Sequence, residues 1–80
     1  MHQRIKDKPD SLEDYLQLNY PITFYPEPDG GYTVMIRELP GCISQGDTLE
    51  EAMQNIQEAK EAWLETAIAY QDEIPLPSKL

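Results

Sequence analysis

One stretch limits the possible folds more than any other. From Leu49 to about Tyr70, apolar residues recur at steps of three and four: Leu49, Met53, Ile56, Ala59 or Lys60, Trp63, Ala67 and Tyr70. That period predicts a long amphipathic helix with one apolar stripe. Glu50, Glu58, Glu61 and Glu65 lie off the stripe. The start is marked by a capping box, Thr48-Leu49-Glu50-Glu51. In that motif the Thr48 hydroxyl accepts from the Glu51 amide, and the Glu51 side chain reaches back to the Thr48 amide. Near the far end, Leu64 and Ile68 add a second apolar ridge. A single layer of strands does not need that width, so a further element or a second subunit is expected there. In a chain of 80 residues, such a helix leaves room only for short elements packed on one face.

Those elements are legible. Ser11-Leu-Glu-Asp-Tyr-Leu-Gln-Leu18 reads as a short helix capped by Ser11, with Glu13 and Asp14 at its positive end. Asn19-Tyr20-Pro21 stops it, because the residue before proline is pushed out of the helical region. Tyr20 to Pro26 reads as a strand with prolines at its ends. Glu27-Pro28-Asp29-Gly30-Gly31 is a hairpin turn, in which Gly30 supplies positive φ for a bulge. Tyr32 to Arg37 is the return strand, with Tyr32, Val34 and Ile36 on one face and Thr33, Met35 and Arg37 on the other. Leu39-Pro40-Gly41 turns the chain again, and Cys42 to Gln45 is a third strand. After the long helix, Ile74-Pro75-Leu76-Pro77 cannot supply the N–H groups of a central strand and reads as an extended segment or an edge. The fold class is α+β in one domain over residues 11–77. Residues 1–10 read as a flexible tail and 78–80 as the chain end.

Charge narrows the function. The net charge is −9. Between Pro9 and Ser78 there are fourteen acidic residues and two basic ones, Arg37 and Lys60, a balance of −12. Phosphate binding needs Lys and Arg, so direct nucleic-acid binding is not expected. A basic partner is favoured, with electrostatics speeding the encounter. A core this small supplies about 3–5 kcal/mol, which makes a homodimer or higher oligomer a reasonable expectation. One cysteine excludes an internal disulfide, and one histidine, His2, makes a transition-metal site unexpected. No apolar run approaches the length of a membrane span, and no apolar segment follows the first six residues as in a secretory signal. The expected location is cytoplasmic, with no membrane contact and no cofactor.

The stretch Leu39-Pro-Gly-Cys-Ile-Ser-Gln-Gly-Asp-Thr48 holds that single cysteine. A reactive thiol needs a base, a cation or a helix N-terminus beside it. The acidic surroundings disfavour a thiolate, and cysteine is often a small buried hydrophobe. Cys42 is therefore read as structural. Pro40, Gly41 and Gly46 account for the stretch better, by turning the chain and setting the helix against the strands.

At this level of detail the chain resembles the HicB family of antitoxins. The resemblance rests on Tyr20-Pro21-Ile22, Asp29-Gly30-Gly31-Tyr32, Leu39-Pro40-Gly41-Cys42, Gln45-Gly46-Asp47-Thr48-Leu49-Glu50-Glu51-Ala52 and Ala62-Trp63-Leu64. It runs from about Tyr20 to Pro77. It implies a truncated ribonuclease-H-like core: a three-stranded antiparallel sheet with one long helix packed across it. The helix at Ser11 is an addition before that core. Positions Gly31, Tyr32, Leu39, Pro40, Gly41, Cys42, Gly46, Thr48, Glu51 and Trp63 match family motifs and are read as structural. The resemblance also implies a partner, a HicA-type toxin: a small basic protein that cleaves mRNA with a histidine, and whose active site the antitoxin covers. Many such antitoxins continue into a DNA-binding domain. This sequence ends at Leu80 without room for one, so promoter binding by the chain alone is not expected.

Three readings follow. The first is a protein-binding module that neutralises a HicA-type toxin, with candidate contacts Glu27, Asp29, Glu38, Asp47 and Glu50. Each of these, taken singly, also reads as a solvated charge or a cap. The second is a self-associating domain with no toxin partner. The third is a metal-dependent nuclease on a ribonuclease-H-like core. Metal-dependent nucleases carry carboxylates on their strands, and Ile22-Thr-Phe-Tyr25 and Thr33-Val-Met-Ile36 hold none. The chain is thus expected not to be an enzyme.

Overall fold

A computed structural model describes residues 11–77. The tail expected over residues 1–10 and the chain end at 78–80 lie outside the described residues. The element order is α1 (Leu12–Leu16), β1 (Thr23–Pro26), β2 (Tyr32–Met35), β3 (Ile43–Gly46) and α2 (Leu49–Ala69). The strands form one antiparallel sheet in the order β1-β2-β3. This is the α+β architecture expected: α1, β1 and β2 are shorter than their sequence signals, β3 is shifted by one residue, and α2 ends at Ala69.

The turns form for the reasons their residues give. Gly30 donates its amide to the Glu27 carbonyl at 3.0 Å, and Glu27 donates to the Gly31 carbonyl at 2.9 Å. Gly30 takes φ 105°, the left-handed conformation that a type I turn followed by a bulge requires. At the next turn, the Cys42 amide donates to the Leu39 carbonyl at 2.9 Å and Gly41 takes φ 86°. Proline at the first corner and a positive-φ glycine at the second define a type II turn. Indole Nε1 of Trp63 donates to the Pro40 carbonyl at 2.7 Å, which pins this turn to α2.

α2 packs over β2 and β3 on the face that carries Val34 and Ile36, and α1 packs against α2. The buried helix positions are Ala52, Ile56, Lys60, Leu64 and Ala67. That stripe is turned from the expected one. Leu49, Met53 and Tyr70 are exposed, whereas Leu64 is fully buried. The extra ridge at Leu64 and Ile68 therefore meets the chain's own core, to which Leu12, Tyr15, Leu16 and Leu18 add their apolar surface, and the motive for a dimer through that ridge disappears. Lys60 lies in the core with its ammonium 5.9 Å from the centre of the Tyr20 ring, and its aliphatic stem fills helix volume. The extended segment after α2 docks as well: Ile74 is buried, and the Tyr20 hydroxyl donates to the Pro75 carbonyl at 2.6 Å.

Candidate functional site

The joint between β3 and α2 is a close backbone approach. A Cβ on Gly46 would lie 2.4 Å from the Ala52 nitrogen and 2.8 Å from its Cα. Glycine there lets the end of β3 touch the first turn of α2. The hairpin is brought to the same place: a Cβ on Gly31 would lie 3.0 Å from the Gly46 carbonyl oxygen. Two glycines thus draw three segments together, namely the hairpin root, the end of β3 and the start of α2.

Between them runs a groove of about 400 Å³, lined by Glu27, Gly30, Gly31, Tyr32, Gln45, Gly46, Asp47, Glu51 and Asn55. Three carboxylates border it and no cationic side chain does. Glu27 accepts from the Thr33 hydroxyl, which holds its carboxylate on the hairpin. Glu51 Oε1 accepts from the Asp47 amide at 2.7 Å, and Thr48 Oγ1 accepts from the Glu51 amide at 3.1 Å. The capping box therefore forms, but Glu51 reaches Asp47 and not Thr48. Asn55 Nδ2 donates to the Gln45 carbonyl at 2.7 Å and ties α2 to the strand end. The result is a recess bordered by three carboxylates, two of them, Glu27 and Glu51, held by hydrogen bonds.

Of the five candidate contact residues, Glu27 and Asp47 line the groove. Asp29 stands exposed at the hairpin tip and Glu50 exposed in the first turn of α2, both outside the lining. Glu38 is elsewhere: it follows β2 and lies close enough to Tyr20 to help raise that phenol's pKa. Glu51, read as a structural cap, is a groove residue too. Gln45 and Asn55 were missed as groove residues, because nothing in the spacing of a lone polar pair marks which strand end a helix side chain will reach. Among the described residues, no three His, Cys, Asp or Glu side chains converge in a metal-binding arrangement.

A second, apolar cleft of about 620 Å³ lies against Pro40, Cys42, Ala59 and Trp63. Cys42 is 2% exposed, and burial pushes its thiol pKa up, opposed by the nearby Lys60 charge. A buried, protonated thiol is a packing group. Among the described residues, no helix is long and apolar enough to cross a membrane.

Fold and groove together define a small α+β domain with a carboxylate-lined recess. The profile of the family described as "HicB_like antitoxin of bacterial toxin-antitoxin system" matches residues 20–80. A UPF0150 protein of Synechocystis is 43% identical over 58 residues, covering 72% of this chain and 80% of that one. A second UPF0150 protein of Synechocystis is 49% identical over 57 residues, 71% of this chain and 72% of its own. The HicB antitoxin of Escherichia coli K12 is 41% identical over 66 residues, 79% of this chain but 46% of the antitoxin. The chain belongs to the HicB-like antitoxin family of bacterial toxin-antitoxin systems.

Proposed function

We propose that this protein neutralises a small basic HicA-type toxin that cleaves mRNA, and that it does so by docking onto the toxin's RNA-binding surface. The observation that supports this is the groove beside the hairpin, where Glu27, Asp47 and Glu51 gather. A ribonuclease holds its substrate through lysine and arginine contacts to phosphates. Carboxylates set at fixed positions compete for those same cations, and a buried contact beneath them sets the specificity. The protein acts without catalysis, by occupying the surface the RNA needs, and it does so in the cytoplasm, where that RNA is. The acidic body makes direct DNA binding by residues 11–77 unfavourable.

The test is reconstitution. A small basic, histidine-bearing protein encoded beside this chain is purified, and its cleavage of an mRNA is followed with and without this protein. Stoichiometric inhibition, setting in more slowly when Asp47 is reversed to lysine, is expected. Cleavage that continues unchanged in the presence of a molar excess of this protein would overturn the reading.

A further inference from the structure

The acidic groove and the apolar cleft are two ends of one seam between α2 and the β3 segment. At the groove, Asn55 Nδ2 donates to the Gln45 carbonyl, and at the cleft Trp63 Nε1 donates to the Pro40 carbonyl. Asn55, Ala59, Trp63 and Thr66 recur at steps of three and four, so they share one flank of α2. Asn55 lines the groove, and Ala59, one turn on, lines the cleft. At a rise of about 1.5 Å per residue, Trp63 lies about 12 Å along the axis from Asn55. One partner laid along this flank covers both.

The cleft has a chemistry of its own. Pro40, Cys42, Ala59, Ala62 and Trp63 give it apolar walls, and Asp72 and Glu73 stand at the end away from the groove. Those two carboxylates follow the C-terminus of α2, where the helix dipole is negative and the last turn holds no basic residue. For stability alone that sign is unfavourable. No cationic side chain lines the cleft, so a lysine or arginine brought from outside is favoured there. We propose that the cleft takes an apolar side chain of the basic toxin, with an adjacent lysine or arginine of the toxin set against Asp72 and Glu73. This rests on the toxin-neutralising reading above, and adds to the groove the apolar anchor that holds the complex. Charge selects the toxin over a second copy of this chain. Among the described residues such a copy offers Arg37 as its one exposed cation, because Lys60 is buried.

Surface-based binding kinetics test this on the full chain and the basic protein encoded beside it, with circular dichroism to confirm folding. Ala62 is exposed, so Ala62→Phe fills the cleft from outside the core. It should raise the off-rate about tenfold or more and leave the on-rate within about twofold. Gln54→Phe, on the side of α2 away from Trp63, should change neither rate. Asp72→Asn together with Glu73→Gln should raise the off-rate several-fold. Where Ala62→Phe fails to fold, that double variant decides. Trp63 is the one tryptophan in the chain, so acrylamide quenching of its fluorescence reads the cleft directly and should fall when the toxin binds. A wild type that binds and inhibits, with the folded cleft variants keeping its off-rate, would overturn this proposal and leave the groove reading standing. A wild type that does not bind overturns both. Quenching already low in the free chain and raised by Ile5→Asp would seat the chain's own Arg4-Ile5-Lys6 in the cleft, and quenching that falls as the free chain is concentrated would seat a second copy there. Either result overturns the proposal.

Discussion

Gly46 is held to glycine by contact, not by backbone angle. It lies in a strand without positive φ, yet a Cβ there would strike the Ala52 nitrogen at 2.4 Å. The obstacle is helix backbone, which cannot rotate away. Gly46→Ala should therefore cost about 2 kcal/mol or more, the range of overpacked core sites. Urea unfolding reads this directly, as a lower midpoint with an unchanged slope. Tyr20 carries a different constraint. Burial first, then neighbouring Tyr15 and Glu38, push its phenol up to about 12. In the unfolded chain the phenol ionises near 10. Between those values the unfolded state releases a proton that the folded state keeps, so stability falls as pH rises through that window. Below about pH 10 the contribution is fully present. Tyr20→Phe should remove that alkaline loss from the pH profile of thermal unfolding. It should also cost about 1 kcal/mol at neutral pH, because the hydroxyl no longer donates to Pro75.

α2 is secured at both ends by local chemistry. At its start Thr48 and Glu51 satisfy two amides that have no helical partner. At its end the Asp72 amide donates to the Ala67 carbonyl at 2.8 Å, and the Gln71 amide to Ile68 at 3.1 Å, a Schellman closure. Gln71 takes φ 58° there, a conformation that favours glycine. Thr48→Ala should cost about 0.5–2 kcal/mol. Gln71→Gly should stabilise by up to about 1 kcal/mol and raise the melting temperature by about 4–8 °C by calorimetry. A lower melting temperature would mean the strain is matched by the added freedom of glycine in the unfolded chain. The start of α2 was legible because capping is a local code. The buried face was not. Periodicity alone admits two adjacent stripes, and apolarity favours Leu49 and Met53. Close approach at Gly46 makes small Ala52 the contact instead, while Lys60 enters the core by way of the Tyr20 ring. The groove was half legible for the same reason: its carboxylates flank turns and caps that the sequence marks. That Gly31 would place the hairpin against Gly46, and so separate Glu38 from the others, depends on packing between segments distant in sequence.

At the scale of the whole molecule, charge should govern the rate of encounter more than the lifetime of a complex. The described residues carry thirteen acidic side chains against Arg37 and Lys60. Their field extends beyond any single contact but is screened over about 8 Å at physiological salt. Association with a basic toxin should then be fast at low salt and slow steeply as salt is added. Asp29 and Asp47 are both exposed, one at the hairpin tip and one in the groove. Reversing both to lysine should slow association several-fold and leave the off-rate little changed, since exposed charges contribute mainly to steering. Truncating a buried apolar anchor of the complex should do the opposite and raise the off-rate. Stopped-flow kinetics at two ionic strengths separate these effects. An on-rate indifferent both to salt and to the double reversal would reduce the acidic body to a solubility feature, and the groove would lose its claim to the toxin.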